Sequence, residues 1–171
     1  MAGARTAGSS RIELEVQRAT RWQPLPGDAE FELWVRTALR GLEAAELTIR
    51  VVDREESREF NRRYRGKDAP TNVLSFPADL PAEVGINLLG DILICAPLVG
   101  EEAREQGKSE QAHWAHLTIH GVLHLLGHDH QAAADAEVME GIEIALLESL
   151  GIANPYEAPG PGPAANEKTL D

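Results

Sequence analysis

Four histidines, His120, His124, His128 and His130, stand within eleven residues of this 171-residue chain. Three of them, His120, His124 and His130, have the spacing of a metal site, His-x3-His-x5-His. On a helix, residues four apart share a face, with Cβ atoms about 5–6 Å apart. Two imidazoles so placed converge on one zinc at Zn–N distances of about 2.0–2.1 Å. Gly127 can take the positive φ that ends a helix, and the returning chain lets His130 supply a third ligand. Three protein ligands leave one tetrahedral position to water, the pattern of a catalytic zinc. The stretch therefore predicts one zinc per chain and metal-assisted hydrolysis; nickel or cobalt also suits three imidazoles.

The spacing alone leaves the ligand set open. His116 and His120 are also four apart, and His113 lies one turn earlier. The glycine turn favours His120 with His124, because His130 can fold back only on the last helical turn. His116 is read as supporting the ligands or packing, and His128 as a solvent-facing turn residue. Asp129 either fixes the tautomer of a ligating imidazole or caps the following helix. The stretch also reads as His-x3-His-x2-Gly-x2-His, the metzincin protease spacing, which places a glutamate directly after the first histidine as general base. Here that position is Gly121, which cannot accept a proton from bound water. This argues against peptide hydrolysis.

The elements that must position these groups follow from periodicity and punctuation. Ile12, Leu14 and Val16 alternate with polar residues and predict a strand, as do Leu47, Ile49 and Val51. Asp28 is expected to cap a helix through Leu42, with Phe31, Trp34, Val35, Ala38 and Leu39 on its apolar side. Ser57 to Tyr64 reads as helix, broken by Gly66. Val73, Leu74 and Phe76 form a short strand stopped by Pro77. Residues 79–87 read as loop, and Leu88 to Cys95 as a third apolar run. Pro97 opens a helix closed by Gly107. Ser109 caps the histidine-bearing helix, which ends at Gly127, and a last helix runs from Ala133 to Leu150. The expected fold is α+β, a small mixed sheet packed against several helices, with the metal site at the end of a central helix. Residues 1–10 and 155–171 are expected to be disordered, leaving a single domain over 11–154.

Composition bounds the setting. An apolar fraction of 43% suits a globular protein, and no apolar run approaches the ~20 residues needed to span a bilayer. No secretory signal is visible, and the lone Cys95 fits a reducing cytoplasm. The net charge of −12 is awkward for a nucleic-acid enzyme. Residues 50–67 are nevertheless net positive, with Arg50, Arg54, Arg58, Arg62, Arg63, Arg65 and Lys67. That run is either a local basic patch or a solvated helix face laced with ion pairs.

The stretch HGVLHLLGHDH (120–130) resembles the signature of the YbeY family of bacterial endoribonucleases that mature ribosomal RNA. The segments TIRVVD (48–53), YRGKDAPTNVLSFP (64–77), LLGDILIC (88–95) and AHWAH (112–116) resemble that family in order and spacing. The likeness covers residues 12–157. It departs at His128, where the family often has tyrosine, which adds a spare candidate for the third ligand. The resemblance implies zinc ligands at His120, His124 and His130 and an essential catalytic arginine at Arg65. It implies a single-strand-preferring endoribonuclease acting on the 3′ end of 16S ribosomal RNA and in ribosome quality control. Ribosomal RNA, a small-subunit ribosomal protein and an assembly GTPase are the implied partners; neither a membrane nor DNA is expected. The chemistry of the residues agrees: a guanidinium clamps phosphodiester oxygens bidentately, and zinc polarises the phosphoryl group. For Arg65 the plain alternative is a helix-end arginine bonding the last carbonyls. Two other classes stay open: a zinc hydrolase acting on a peptide or small molecule, and a ribosome assembly factor with a structural zinc.

Overall fold

Period-two alternation builds a four-stranded mixed sheet with two different faces. The computed structural model describes residues 11–79, 87–128 and 132–157. Its elements are β1 (Arg11–Ala19), α1 (Asp28–Ala38), β2 (Ala44–Val52), α2 (Arg54–Arg65), β3 (Val73–Pro77), β4 (Leu88–Cys95), α3 (Ala96–Gln106), α4 (Glu110–Leu125) and α5 (Ala133–Ser149). The strand order is β1-β2-β4-β3. β1, β2 and β4 run parallel, and β3 lies antiparallel to β4 at the edge. This is the expected α+β class.

Successive strand side chains point to opposite faces, and the two faces carry different helices. Ile49, Val51, Val73, Ile92 and Ile94 face the main core with Trp114, Leu117 and Val122 of α4. Val52, Leu74 and Leu93 face the other side, against Phe60 of α2 and Phe76. α4 and α2 therefore lie on opposite faces. α4 is the central helix, touching α1, α3, α5, β3 and β4, and nearly every residue from His113 to Leu125 is buried. Ser109 caps it as expected, its Oγ accepting from the Ala112 N–H at 3.0 Å. Gly127 follows with φ +101°. Among the described residues, no helix is long and apolar enough to cross a membrane.

Several boundaries differ from the sequence reading, each for a local reason. Gly27, not Asp28, is the N-cap of α1, and its N–H donates to Glu30 Oε1 at 2.9 Å. α1 ends at Ala38 rather than Leu42, with Gly41 at φ +96° in the turn that follows. α2 begins at Arg54 rather than Ser57; its first turn is wholly charged, so apolar periodicity gives no signal there. Ser57 is instead a buried anchor: its Oγ donates to Thr71 O at 2.8 Å and accepts from Thr71 N–H at 2.9 Å. Asn61 Nδ2 donates to Ala69 O at 2.7 Å. These bonds tie the 66–72 loop to α2. Of the loop expected at 79–87, residues 80–86 lie outside the described residues.

Candidate metal centre

The inner face of α4 presents a column of imidazoles. His113, His116, His120 and His124 are spaced three or four apart, and their ring centroids follow at 6.2, 6.1 and 4.6 Å. His120 and His124 turn their Nε2 atoms toward each other, 3.2 Å apart. His120 Nδ1 meets Glu143 Oε2 at 2.6 Å, and His116 Nε2 meets Glu143 Oε1 at 2.9 Å. Tyr156 adds a short hydrogen bond from its hydroxyl to Glu143 Oε1. His116, His120 and Glu143 form a buried group whose ligand-type atoms lie within 4.8 Å of one another, close enough to hold a metal ion.

Burial and charge fix the protonation pattern. Glu143 is fully buried. Burial alone would raise its pKa, but the hydrogen bonds from His116 and His120 prevail and hold it below the ordinary carboxylate range. A carboxylate only accepts, so both imidazoles donate to it. Burial pushes His116 from 6.5 to about 4 against the pull of Glu143. His116 is therefore neutral, with its proton on Nε2, and its buried Nδ1 has no hydrogen-bond partner among the described residues. Burial and the Glu143 charge raise the Tyr156 phenol, keeping it a donor.

His130 and Asp129 lie outside the described residues. His128 is half-buried in the turn, its N–H donating to Leu123 O at 3.0 Å. Gly121 faces the sheet: a Cβ there would stand 3.0 Å from Ile92 Cγ2 and 3.3 Å from Ser75 Oγ. Ser75 Oγ also donates to Gly121 O at 3.0 Å, binding α4 to the edge strand.

Arg65 is the exposed last residue of α2. Among the described residues its side chain makes no hydrogen bond or ion pair, so no such contact joins it to the histidines or ties it to the helix-end carbonyls. The other five arginines of the basic run are engaged. Arg50 grips Glu56 through two nitrogens at 2.5 and 3.0 Å, and Arg58 grips Asp68 at 2.7 and 3.0 Å. Arg62 and Arg63 share Glu59, and Arg54 pairs with Glu101. All five arginines are thus ion-paired, Arg62 and Arg63 along α2 itself, Arg50 from β2, and Arg54 and Arg58 across to α3 and the 66–72 loop.

Two comparisons bear on this geometry. The family model described as Endoribonuclease YbeY matches residues 22–151. This chain belongs to the YbeY family. The solution structure of TM1509 from Thermotoga maritima is similar at a TM-score of 0.52 and 23% sequence identity. That match covers 88% of this chain and 99% of TM1509, and it bears on the fold alone.

In this YbeY-family chain, sequence reasoning brought His120 and His124 together but missed Glu143 and Tyr156. Asp129, the acid that lies beside the histidines in sequence, is outside the described residues. The nearest described acid in space is Glu143, 23 residues beyond His120. A signal was available: Met139, Glu143 and Leu147 form one buried stripe of α5 at four-residue spacing. A glutamate on an apolar stripe needs a buried partner. Tyr156 falls in the segment assigned to a disordered tail from residue 155. It is instead partly buried, with its ring edge-on to His116 at 5.3 Å.

Proposed function

We propose that this chain is a zinc-dependent endoribonuclease that prefers single-stranded RNA. It acts in the cytoplasm at the 3′ end of 16S ribosomal RNA and in ribosome quality control, beside a small-subunit ribosomal protein and an assembly GTPase. Family membership supports the endoribonuclease and ribosomal RNA part of this reading. The observation that carries the metal part is the convergence of His120 Nε2 and His124 Nε2 at 3.2 Å, with His120 Nδ1 engaged by Glu143. Two nitrogens each about 2.0–2.1 Å from one tetrahedral zinc stand about 3.3 Å apart, so the donor pair fits the ion. His120 and His124 would hold it, with His130 as the third ligand. Bound there, zinc supplies a Lewis acid and a water with its pKa lowered to about 7.

The rest of the chemistry falls to the chain's own side chains. Glu143 is occupied on both oxygens and sits on the Nδ1 side of His120, so it orients that ring and is not placed to take a proton on the Nε2 side. Arg65 offers its planar fork to a scissile phosphodiester and stabilises charge developing on the nonbridging oxygens. Tyr64, beside it, has an exposed ring stacked on Phe60 at 5.8 Å. Tyr64 and Phe60 line a groove of about 430 Å³ with Phe76, Arg50 and Asp91 on the α2 face of the sheet. An exposed aromatic next to an unpaired guanidinium suits an unstacked base and its phosphate. This favours a single strand over a duplex.

The test is cleavage of RNA with single-stranded ends by zinc-loaded protein, chelated protein and the Arg65→Ala variant. Chelation should abolish cleavage. Arg65→Ala should retain its zinc and melting temperature while turnover falls by roughly 10²–10³, the scale of one preorganised charge stabiliser. Cleavage indifferent to chelation, or full activity without Arg65, overturns the reading.

A further inference from the structure

Glu143 has more donors than a mere buried ion pair needs, and one comes from outside the helical core. Its Oε1 accepts from both His116 and Tyr156, while its Oε2 accepts from His120. The terminal torsion of a glutamate is broad and roughly two-fold, so a carboxylate held by one donor on each oxygen can still rock about that torsion. The Tyr156 hydroxyl, as a second donor on Oε1, stiffens the plane set by the two histidines and with it the place where Oε2 meets His120. That contact holds the His120 proton on Nδ1 and sets the ring plane from which Nε2 faces His124.

Tyr156 is itself aimed by a short built turn. Its N–H donates to Asn154 Oδ1 at 2.8 Å, and Glu157 N–H donates to Asn154 O at 3.3 Å. Lys108 Nζ, from the connection between α3 and α4, donates to Pro155 O at 3.0 Å. The segment after α5 is thus anchored by its own turn and by Lys108, and its hydroxyl reaches a carboxylate that solvent does not touch.

We propose that Tyr156 is a positioning residue of the metal centre, acting through Glu143 to orient His120, so that residues 154–157 are part of the site. The inference rests on the reading of His120 and His124 as ligands. Partners one step removed from a metal typically change its affinity 10- to 100-fold. Tyr156 acts through Glu143, so its effect depends on Glu143 being intact.

The experiment measures zinc affinity of the full chain by competition with a chromophoric chelator, and visible spectra of the cobalt-substituted protein. Tyr156→Phe keeps the ring against His116 and removes only the hydroxyl. It should bind zinc up to about 10-fold more weakly, the low end of that range because it acts through Glu143, alter the cobalt bands, and lose part of the zinc-induced rise in melting temperature. Glu143→Gln should weaken zinc at least as much. The double variant should match Glu143→Gln, because coupled residues do not add. Tyr156→Phe with wild-type zinc affinity and cobalt spectrum, whatever its melting temperature, reduces the residue to packing and overturns the proposal. So does full additivity of the two substitutions. If Glu143→Gln does not fold, Tyr156→Phe alone decides. His124→Ala separates the two claims: unchanged zinc affinity there overturns the ligand reading itself, whereas its loss beside an unaffected Tyr156→Phe overturns only this inference.

Discussion

Replacing Gly121 with alanine opposes two effects whose sizes the structure fixes. Gly121 lies inside α4, where alanine gains about 1 kcal/mol over glycine in helix propensity. Against this, the new Cβ would meet Ile92 Cγ2 at 3.0 Å and Cδ1 at 3.2 Å, inside the optimum of about 3.5–4.0 Å between carbons. Ile92 is fully buried in β4, so neither methyl has room to withdraw. Overpacking of this kind costs about 1–3 kcal/mol. The expected net is a destabilisation of about 1 kcal/mol, or a melting temperature lower by about 2–4 °C for a domain of this size. Gly141 is the control. It sits in α5 with nothing within 4 Å of a Cβ, so Gly141→Ala keeps the propensity gain, about 1 kcal/mol, without the clash. Thermal unfolding of both variants, without metal, reads the two signs directly. Equal stabilisation by the two alanines refutes the packing argument.

Two other expectations follow from the core and from a charge cluster remote from the metal. Gly100→Ala in α3 should destabilise by about 1–3 kcal/mol, because its Cβ would stand 2.4 Å from Trp22 Cζ2; thermal unfolding checks this, and wild-type stability would mean that the indole moves aside freely. Glu102 accepts from His113 Nε2 at 2.8 Å and Asn72 Nδ2 at 3.0 Å. Burial acts to raise its pKa, yet these bonds bring it below its ordinary value of 4.5. A folded-state pKa below the unfolded one means stability present above about pH 4.5 and lost as pH falls through the folded value. Glu102→Gln should flatten that part of the acid limb in melting temperature measured against pH; an unchanged slope rules out this source.

The parts of the fold legible in the sequence are those set by neighbours along the chain. Alternation marks β1 and β2, a continuous apolar run marks β4, the Ser109 cap marks the start of α4, and the four-residue step from His120 to His124 puts both rings on one face. The positive φ of Gly66, Gly107, Gly127 and Gly151 after their helices was readable for the same reason. The contacts that orient the site were not, because they join residues far apart in sequence: Glu143 to His120 across 23 positions, and Tyr156 to His116 across 40. For the basic run the sequence leaves two readings open, and the contacts of its arginines decide between them. Its composition resembles a patch, but Glu56, Glu59, Asp68 and Glu101 engage five of its arginines. Such exposed pairs contribute only about 0–1 kcal/mol each, yet they occupy five of the cations and leave Arg65 and Lys67, among the described residues, without an ion pair.

Gly121 shows how a correct sequence observation can carry an incomplete reason. The missing glutamate after His120 was read as a lost protease base. The structure adds that this position faces β4 and β3, with Ile92 and Ser75 already at contact distance from a Cβ. A glutamate here would push a carboxylate against apolar Ile92, a burial that costs heavily without a partner, and would not present it on the His120–His124 side. The same close approach lets Ser75 bond Gly121 O, holding the histidine turn of α4 against the edge strand. On its other flank, Glu143 holds His120 from α5. The imidazole pair is thus oriented from the sheet and from α5 together. The chemistry open to it is set as much by the absent side chain at 121 as by the histidines on either side.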